Sequence, residues 1–227
     1  MKRYSILAGI GLLLSWSALA QTKPEVNTAL QQQLIEMGKE DQKHRQELSE
    51  LMNRLDGPDK DKVMPRYIQL VEEQSALDDK LLRQLEAIIA KHGWPTISLV
   101  GKEASGVAFL IIQHADLEYQ KKYFPLLKEA ADKNEARKSD VAMLEDRILM
   151  REGKKQIYGS QLRMNEQTQK LELYPIEDEE NVDKRRARVG LMPMKEYMKH
   201  FNLEYVPPKK PEQTGKKGQE KKRANNF

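Results

Sequence analysis

The residues in this chain with the clearest capacity for chemistry are ionisable side chains set where a helical core should be apolar. His114 follows the run Gly106-Val-Ala-Phe-Leu-Ile-Ile112 directly, four residues after Leu110 and three before Leu117. An imidazole there is a proton donor or acceptor, a metal ligand, or a core residue satisfied by a carboxylate or carbonyl. Leu34, Met37, Leu48, Leu51 and Leu55 form a seam with three- and four-residue steps, and the same seam passes through Asp41 and His44, with Arg45 beside them. A second seam, Val71, Gln74, Asp78, Leu81, Leu85 and Ile88, is interrupted by Asp78. Asp146 and Arg147 lie on the shoulder of a third, marked by Leu144 and Ile148. Unpaired buried charges are too costly to leave apart, so the spacing predicts that Asp41, Arg45, Asp78, His114 and Asp146 converge, with the amides Gln113 and Gln161 close by.

Three uses of such a cluster stay open. In an enzyme, His114 is the general acid or base, oriented by Asp78 or Asp146, with Arg45 or Arg147 holding an anionic group and Gln161 a polar one. Asp41, Arg45, His114 and Asp146 are then the catalytic candidates, and Gln113, Arg147, Tyr158, Gln161 and Asp78 the ligand-binding ones. No nucleophile signature accompanies them: Ser160, in Tyr-Gly-Ser-Gln, lacks the strand-to-helix setting of a nucleophile elbow, so water is the natural attacking group. In a metalloprotein, Asp41, Asp78, His114 and Asp146 form an oxygen-rich set suited to manganese, iron or zinc, although the paired Glu-x-x-His elements of a di-iron bundle are missing. In a binding module, the cluster is a satisfied polar network that fixes helix register while the protein holds a ligand or partner. No motif specifies a cofactor, and the loop around Gly101 lacks the spacing and Lys-Ser/Thr pair of a phosphate loop.

The elements that must position these residues are mostly helical. Periodicity predicts helices over residues 26–55, ended by Gly57-Pro58; from 61 or 65 to 91, ended by His92-Gly93; and from about 102 to 119 or beyond. Trp94-Pro95 begins an extended connector, with Trp94 as a plug over helix ends. Tyr123-Phe124-Pro125 predicts a break, followed by helices over 126–132 and 141–150. Alternation in 156–164 and 170–174 then predicts a β-hairpin around an Asn-Glu-Gln-Thr turn, with Gly159 at a bulge or close backbone approach. An acidic loop near Asp178, the basic run 184–188 and a short helix over 193–201 follow. The expected fold class is mainly α, an irregular helical bundle with a small hairpin near the C-terminal third.

Composition bounds the rest. At 227 residues, 33% charged and 6% aromatic, the chain fits one domain of solvated helices rather than a β-sandwich. Residues 1–20 have the three parts of a secretory signal peptide: Lys2-Arg3, the apolar stretch from Ile6 to Leu14, and Ala18-Leu19-Ala20 for cleavage. The expectation is therefore an exported, periplasmic or secreted protein with no transmembrane segment after cleavage. With no cysteine, it relies on packing rather than disulfides. The domain is expected over 21–205 and a basic disordered tail over 206–227. The signal holds two of the 39 basic residues and the stretch from Lys209 onward seven, against two acids, which leaves 30 basic and 33 acidic residues between. The net charge of +4 is thus an effect of the two ends. Nothing aromatic is interleaved in the tail to stack on bases, which argues against nucleic acid and favours a solubilising extension; the partner stays open, with a cell-envelope molecule or a protein as candidates.

The motifs Asp41-Gln42-x-x-Arg45, Gly93-Trp94-Pro95, Gln113-His114-Ala115, Asp146-Arg147, Gly153-x-x-Gln156-x-Tyr158-Gly159-Ser160-Gln161 and Gly190-Leu-x-Pro193, taken in order, resemble the bacterial domain of unknown function 6624 over residues 30–205. Lys80 stands where that pattern has asparagine, and Ser160 where threonine is usual. The resemblance implies one shared domain and no assigned reaction.

Overall fold

The computed structural model describes residues 25–55, 57–168 and 170–208. The expected signal peptide and the basic stretch from Lys209 onward lie outside the described residues.

Helix α1 (Thr28–Gln42) is capped by Asn27, whose Oδ1 accepts from Leu30 N at 3.0 Å. Its buried stripe is Leu30, Leu34, Met37 and then Asp41. The expected single helix over 26–55 is two: the chain turns at Lys43-His44 and restarts as α2 (Arg45–Met52). Neither residue is a glycine or proline, so the periodicity ran through a break that local sequence does not announce. Helix α3 (Lys60–His92) is continuous through Pro65 and closes at Gly93. It buries Leu70, Leu81 and Leu85 completely, while Val71, expected on its seam, is exposed.

After Trp94-Pro95, with Trp94 buried as expected, comes α4 (Ile97–His114). Gly101, at φ 81° and ψ 163°, bends this helix after its first turn, a conformation open to glycine and strained for other residues. The expected helix to residue 119 or beyond stops at His114. Ala115 and Asp116 are extended, with ψ of 169° and 158°, and Asp116 starts α5 (Leu117–Asp132) by accepting from Tyr119 N and Gln120 N. Pro125 does not break α5 as expected. The proline removes one ladder bond, but Tyr123 and Leu127 on either side are anchored in the core and carry the helix across it. Helix α6 (Lys138–Arg151) follows and ends near Gly153.

Helix α1 packs on α4, α5 on α6, and α2 on α3. The main core gathers Leu34, Leu81, Leu85, Val100, Ile112, Leu127 and Leu144, each removed from water and each stabilising by about 1.5–3 kcal/mol before entropy. Beyond α6 the hairpin is shorter than expected: β1 (Leu162–Met164) pairs antiparallel with β2 (Leu171–Leu173), Arg163 opposite Glu172. Residues 156–161 form a loop, tied to the chain after β2 by a bridge from Gln156 to Ile176. Helices α7 (Val182–Arg188) and α8 (Met194–Lys199) close a second small core of Ile176, Val182, Met194, Met198 and Tyr205. The fold is mainly helical with one small hairpin. Among the described residues no helix is long and apolar enough to cross a membrane.

Candidate functional site

The two unannounced helix ends meet. Asp41 is in the last turn of α1, Arg45 opens α2, and His114 is the last residue of α4. The Asp41 carboxylate, 1% exposed, accepts from Arg45 Nε at 3.2 Å and Nη2 at 3.1 Å, from Gln42 Nε2 at 2.6 Å, and shares a hydrogen bond with His114 Nδ1 at 3.1 Å. Arg45 Nη2 also donates to Asp78 Oδ1 at 2.6 Å, so one guanidinium bridges two acids. Gln74, 4% exposed on α3, donates Nε2 to Asp78 Oδ1 at 2.7 Å and reaches the Asp41 carbonyl at 3.4 Å.

Burial would raise the Asp41 pKa, but the hydrogen bonds of His114 and Arg45, together with their charges, outweigh it and hold the carboxyl below its usual range. Asp41 is therefore ionised and accepts only, which makes His114 Nδ1–H the donor and leaves Nε2 as the second ring nitrogen. The His114 ring lines a groove of about 580 Å³, with Leu48, Gln74, Asp78, Asp79 and Tyr119 among its walls. No partner for Nε2 occurs among the described residues.

Four of the five residues expected to converge do so, and Asp146 is the exception. It is fully buried on α6, not on a shoulder, and its two oxygens accept from the backbone N–H groups of Ile157, Tyr158 and Ser160 and from Ser160 Oγ, at 2.7–3.2 Å. It shapes the 156–161 loop. Tyr158 and Gln161 belong to that loop as well. Tyr158 gives its N–H to Asp146, and its phenol pKa is raised by burial and by Glu145 and Asp146. Gln161, buried, donates Nε2 to Ser160 Oγ and its backbone N–H to Gln156 Oε1. Gln113 is half-buried beside His114, and its carbonyl accepts from the buried Gln120 Nε2 at 2.8 Å.

The expected metal set is divided in the same way. Asp146 is committed to N–H donors, and between Asp41 and Asp78 stands a cation, Arg45, in the place an ion would take. Among the described residues no group of three or more His, Asp and Glu side chains is placed to hold a metal.

Sequence reasoning gave no role to Arg186, the largest fully buried side chain. It lies in a basic run of the kind that usually faces water, yet it donates to the carbonyls of Met192, Tyr158 and Gly159 and sits 4.7 Å from the Tyr197 ring centre. Gln74 was visible only as a polar residue on the second seam, a signal that specifies a partner without naming it, and Gln42 only as part of the Asp41-Gln42-x-x-Arg45 motif.

The fold and the site together define a mainly helical domain built around a buried Asp–Arg–His network at two helix breaks. The chain belongs to the DUF6624 family, a family of unknown function, whose model matches residues 28–207. Comparison with curated proteins and with solved structures gives no match.

Proposed function

We propose that the chain binds a small polar ligand in the groove at His114. The observation that carries this reading is the asymmetry of the His114 imidazole: Nδ1 is fixed by a buried, ionised Asp41, while Nε2 is uncommitted in a ring that lines the groove. A histidine kept only for register has no need of an accessible second nitrogen. The same asymmetry favours a second reading, in which the bound ligand is a substrate and His114 is its general base or acid. Asp41 would then orient the ring and stabilise the imidazolium, and water would serve as nucleophile. Export to the periplasm or medium, directed by residues 1–20, is part of the proposal and would place a cell-envelope molecule or protein within reach. Isolation of mature protein beginning at Gln21 from the exported fraction checks it.

The site is tested by nitrogen-detected NMR on residues 21–227, with and without mixtures of small sugars, amines and peptides. Expected are the Nδ1–H tautomer at His114 and ligand-induced shifts confined to groove residues such as Asp78, His114 and Tyr119, lost in a folded His114→Ala protein. Absence of any shift, with His114→Ala as unstable as a variant lacking Asp41, would leave the cluster a purely structural network.

A further inference from the structure

Gln74 carries the unexplained atom of the groove. Only 4% exposed, it lines the groove together with His114 and Asp78. Its Nε2 donates to Asp78 Oδ1 at 2.7 Å and reaches the Asp41 carbonyl at 3.4 Å, which fixes the amide and leaves Oε1 as its other end. That oxygen is buried and has no hydrogen-bond partner among the described residues. A buried amide oxygen without a donor is costly, and it is an acceptor open to an N–H group.

The charge around it has mostly one sign. Asp78, Asp79, Glu86, Asp116 and Glu118 line the groove, with Arg83 as the arginine among them. Asp78 is matched by Arg45 and Glu86 by Lys122. The side chains of Asp79, Asp116 and Glu118 make no hydrogen bond or ion pair among the described residues, and neither does Arg83. Three unmatched carboxylates thus stand against one unmatched guanidinium, and a cleft of one charge sign attracts the other. The acids are not gathered on a point, since among the described residues no group of three is placed to hold a metal. Leu48, Val71 and Leu82 supply apolar wall between them. Such a lining complements a cation spread along a carbon skeleton. The two arginines expected to hold an anionic group do not oppose this: Arg45 is spent between Asp41 and Asp78, and Arg147 is not part of the groove lining.

We propose that the groove takes an organic cation with N–H donors, an ammonium or guanidinium group on a carbon skeleton. Gln74 Oε1 would accept one N–H, and Asp79, Asp116 and Glu118 would supply the complementary charge. The inference rests on the reading of the His114 groove as a ligand site and adds the chemical class of the ligand. A free amine and a lysine side chain of a peptide both carry such a group.

The test is calorimetric affinity and nitrogen-detected NMR of residues 21–227 at constant ionic strength. The cationic probes are 1,5-diaminopentane and Nα-acetyl-lysine methylamide, and the tighter of the two identifies the source. The comparison probes are 1,5-pentanediol, glutarate, and the bis-trimethylammonium analogue of the diamine, which keeps the charge and lacks N–H donors. A cationic probe should shift Asp78, His114, Tyr119 and the Gln74 side-chain amide, while the diol and glutarate should not. Its affinity should exceed that of the trimethylammonium analogue. It should fall about tenfold in the double variant Asp79→Asn, Asp116→Asn, whose positions are exposed and unpaired, and persist in Glu180→Gln, an exposed acid outside the groove. Binding retained in His114→Ala would keep the cation assignment and overturn His114 as the centre of the site. Groove shifts with the diol or glutarate but not with the cations would overturn the cation assignment and keep the ligand site. Equal affinity for the trimethylammonium analogue, or an unchanged affinity in the double variant, would also overturn the assignment. No shift with any probe would overturn both readings.

Discussion

Replacing Asp41 by asparagine removes one charge while keeping the shape of the side chain, and its cost follows from the contacts. The carboxylate is 1% exposed and satisfies two nitrogens of Arg45, the Gln42 amide and His114 Nδ1. Asparagine has a single acceptor oxygen and must point its own N–H₂ at one of these donors. Removing one partner of a buried pair costs about 3–5 kcal/mol, and because Arg45 keeps Asp78 the lower end applies, about 3 kcal/mol. For a domain of this size about 1 kcal/mol shifts the midpoint by ~2–4 °C, so Asp41→Asn should melt roughly 6–12 °C below wild type near neutral pH. The sign of the pH dependence is set by the lowered pKa of Asp41 in the folded state. Its stabilisation is fully present above the unfolded carboxylate pKa of about 3.9 and is lost as pH falls through the lower folded value. Calorimetric scans from pH 7 to pH 3 should therefore show a gap between the two proteins that narrows only below about pH 4. A gap under one degree at pH 7, or one that stays constant down to pH 3, would refute the argument that Asp41 is an ionised, charge-paired centre.

Asp146→Asn should cost about 2–3 kcal/mol through lost charge-assisted bonds, and amide exchange should quicken at Ile157, Tyr158 and Ser160 while α1 and α4 keep their protection. Gly159→Ala should destabilise by about 1–3 kcal/mol in urea titration, since φ is 68° and an added Cβ would lie 2.7 Å from Ile176 Cδ1 and from Met194 Sδ. Asp140 shows the opposite sign to Asp41: burial raises its pKa despite Arg137, so the stabilisation associated with its protonated form fades as pH rises through the folded value. Asp140→Asn, which imitates the protonated form, should melt slightly above wild type at pH 7 and show no advantage at pH 3.

What the sequence revealed and what it hid divide along a physical line. Apolar spacing of three and four residues recovered the helices because burial of Leu34, Leu81, Leu85 and Ile112 decides them, and those residues sit at 0% exposure. Pairing polar residues with a buried stripe located Asp41, Asp78 and His114 for the same reason, since a charge on that stripe must find a partner. The breaks at Lys43-His44 and Ala115-Asp116 were hidden, because no glycine or proline marks them. Asp146 looked equivalent to Asp41 along the chain. What distinguishes them is whether the nearest donors are arginine and histidine side chains or the backbone N–H groups of a loop, and that depends on where Gly159 lets the chain turn.

The hidden features are also the ones that make the site. A helix continuing from Gln42 into Arg45, or from His114 into Leu117, would satisfy its terminal carbonyls internally and give up the two breaks. The chain forgoes that continuity at two places, and the two places adjoin, with Asp41 bonded to His114 across them. Packing does not require this arrangement, since the core on either side is apolar and well filled. Local rules broken together at one location, around a buried carboxylate and a histidine ring that lines a groove, are what supports the proposed ligand site over a purely structural network.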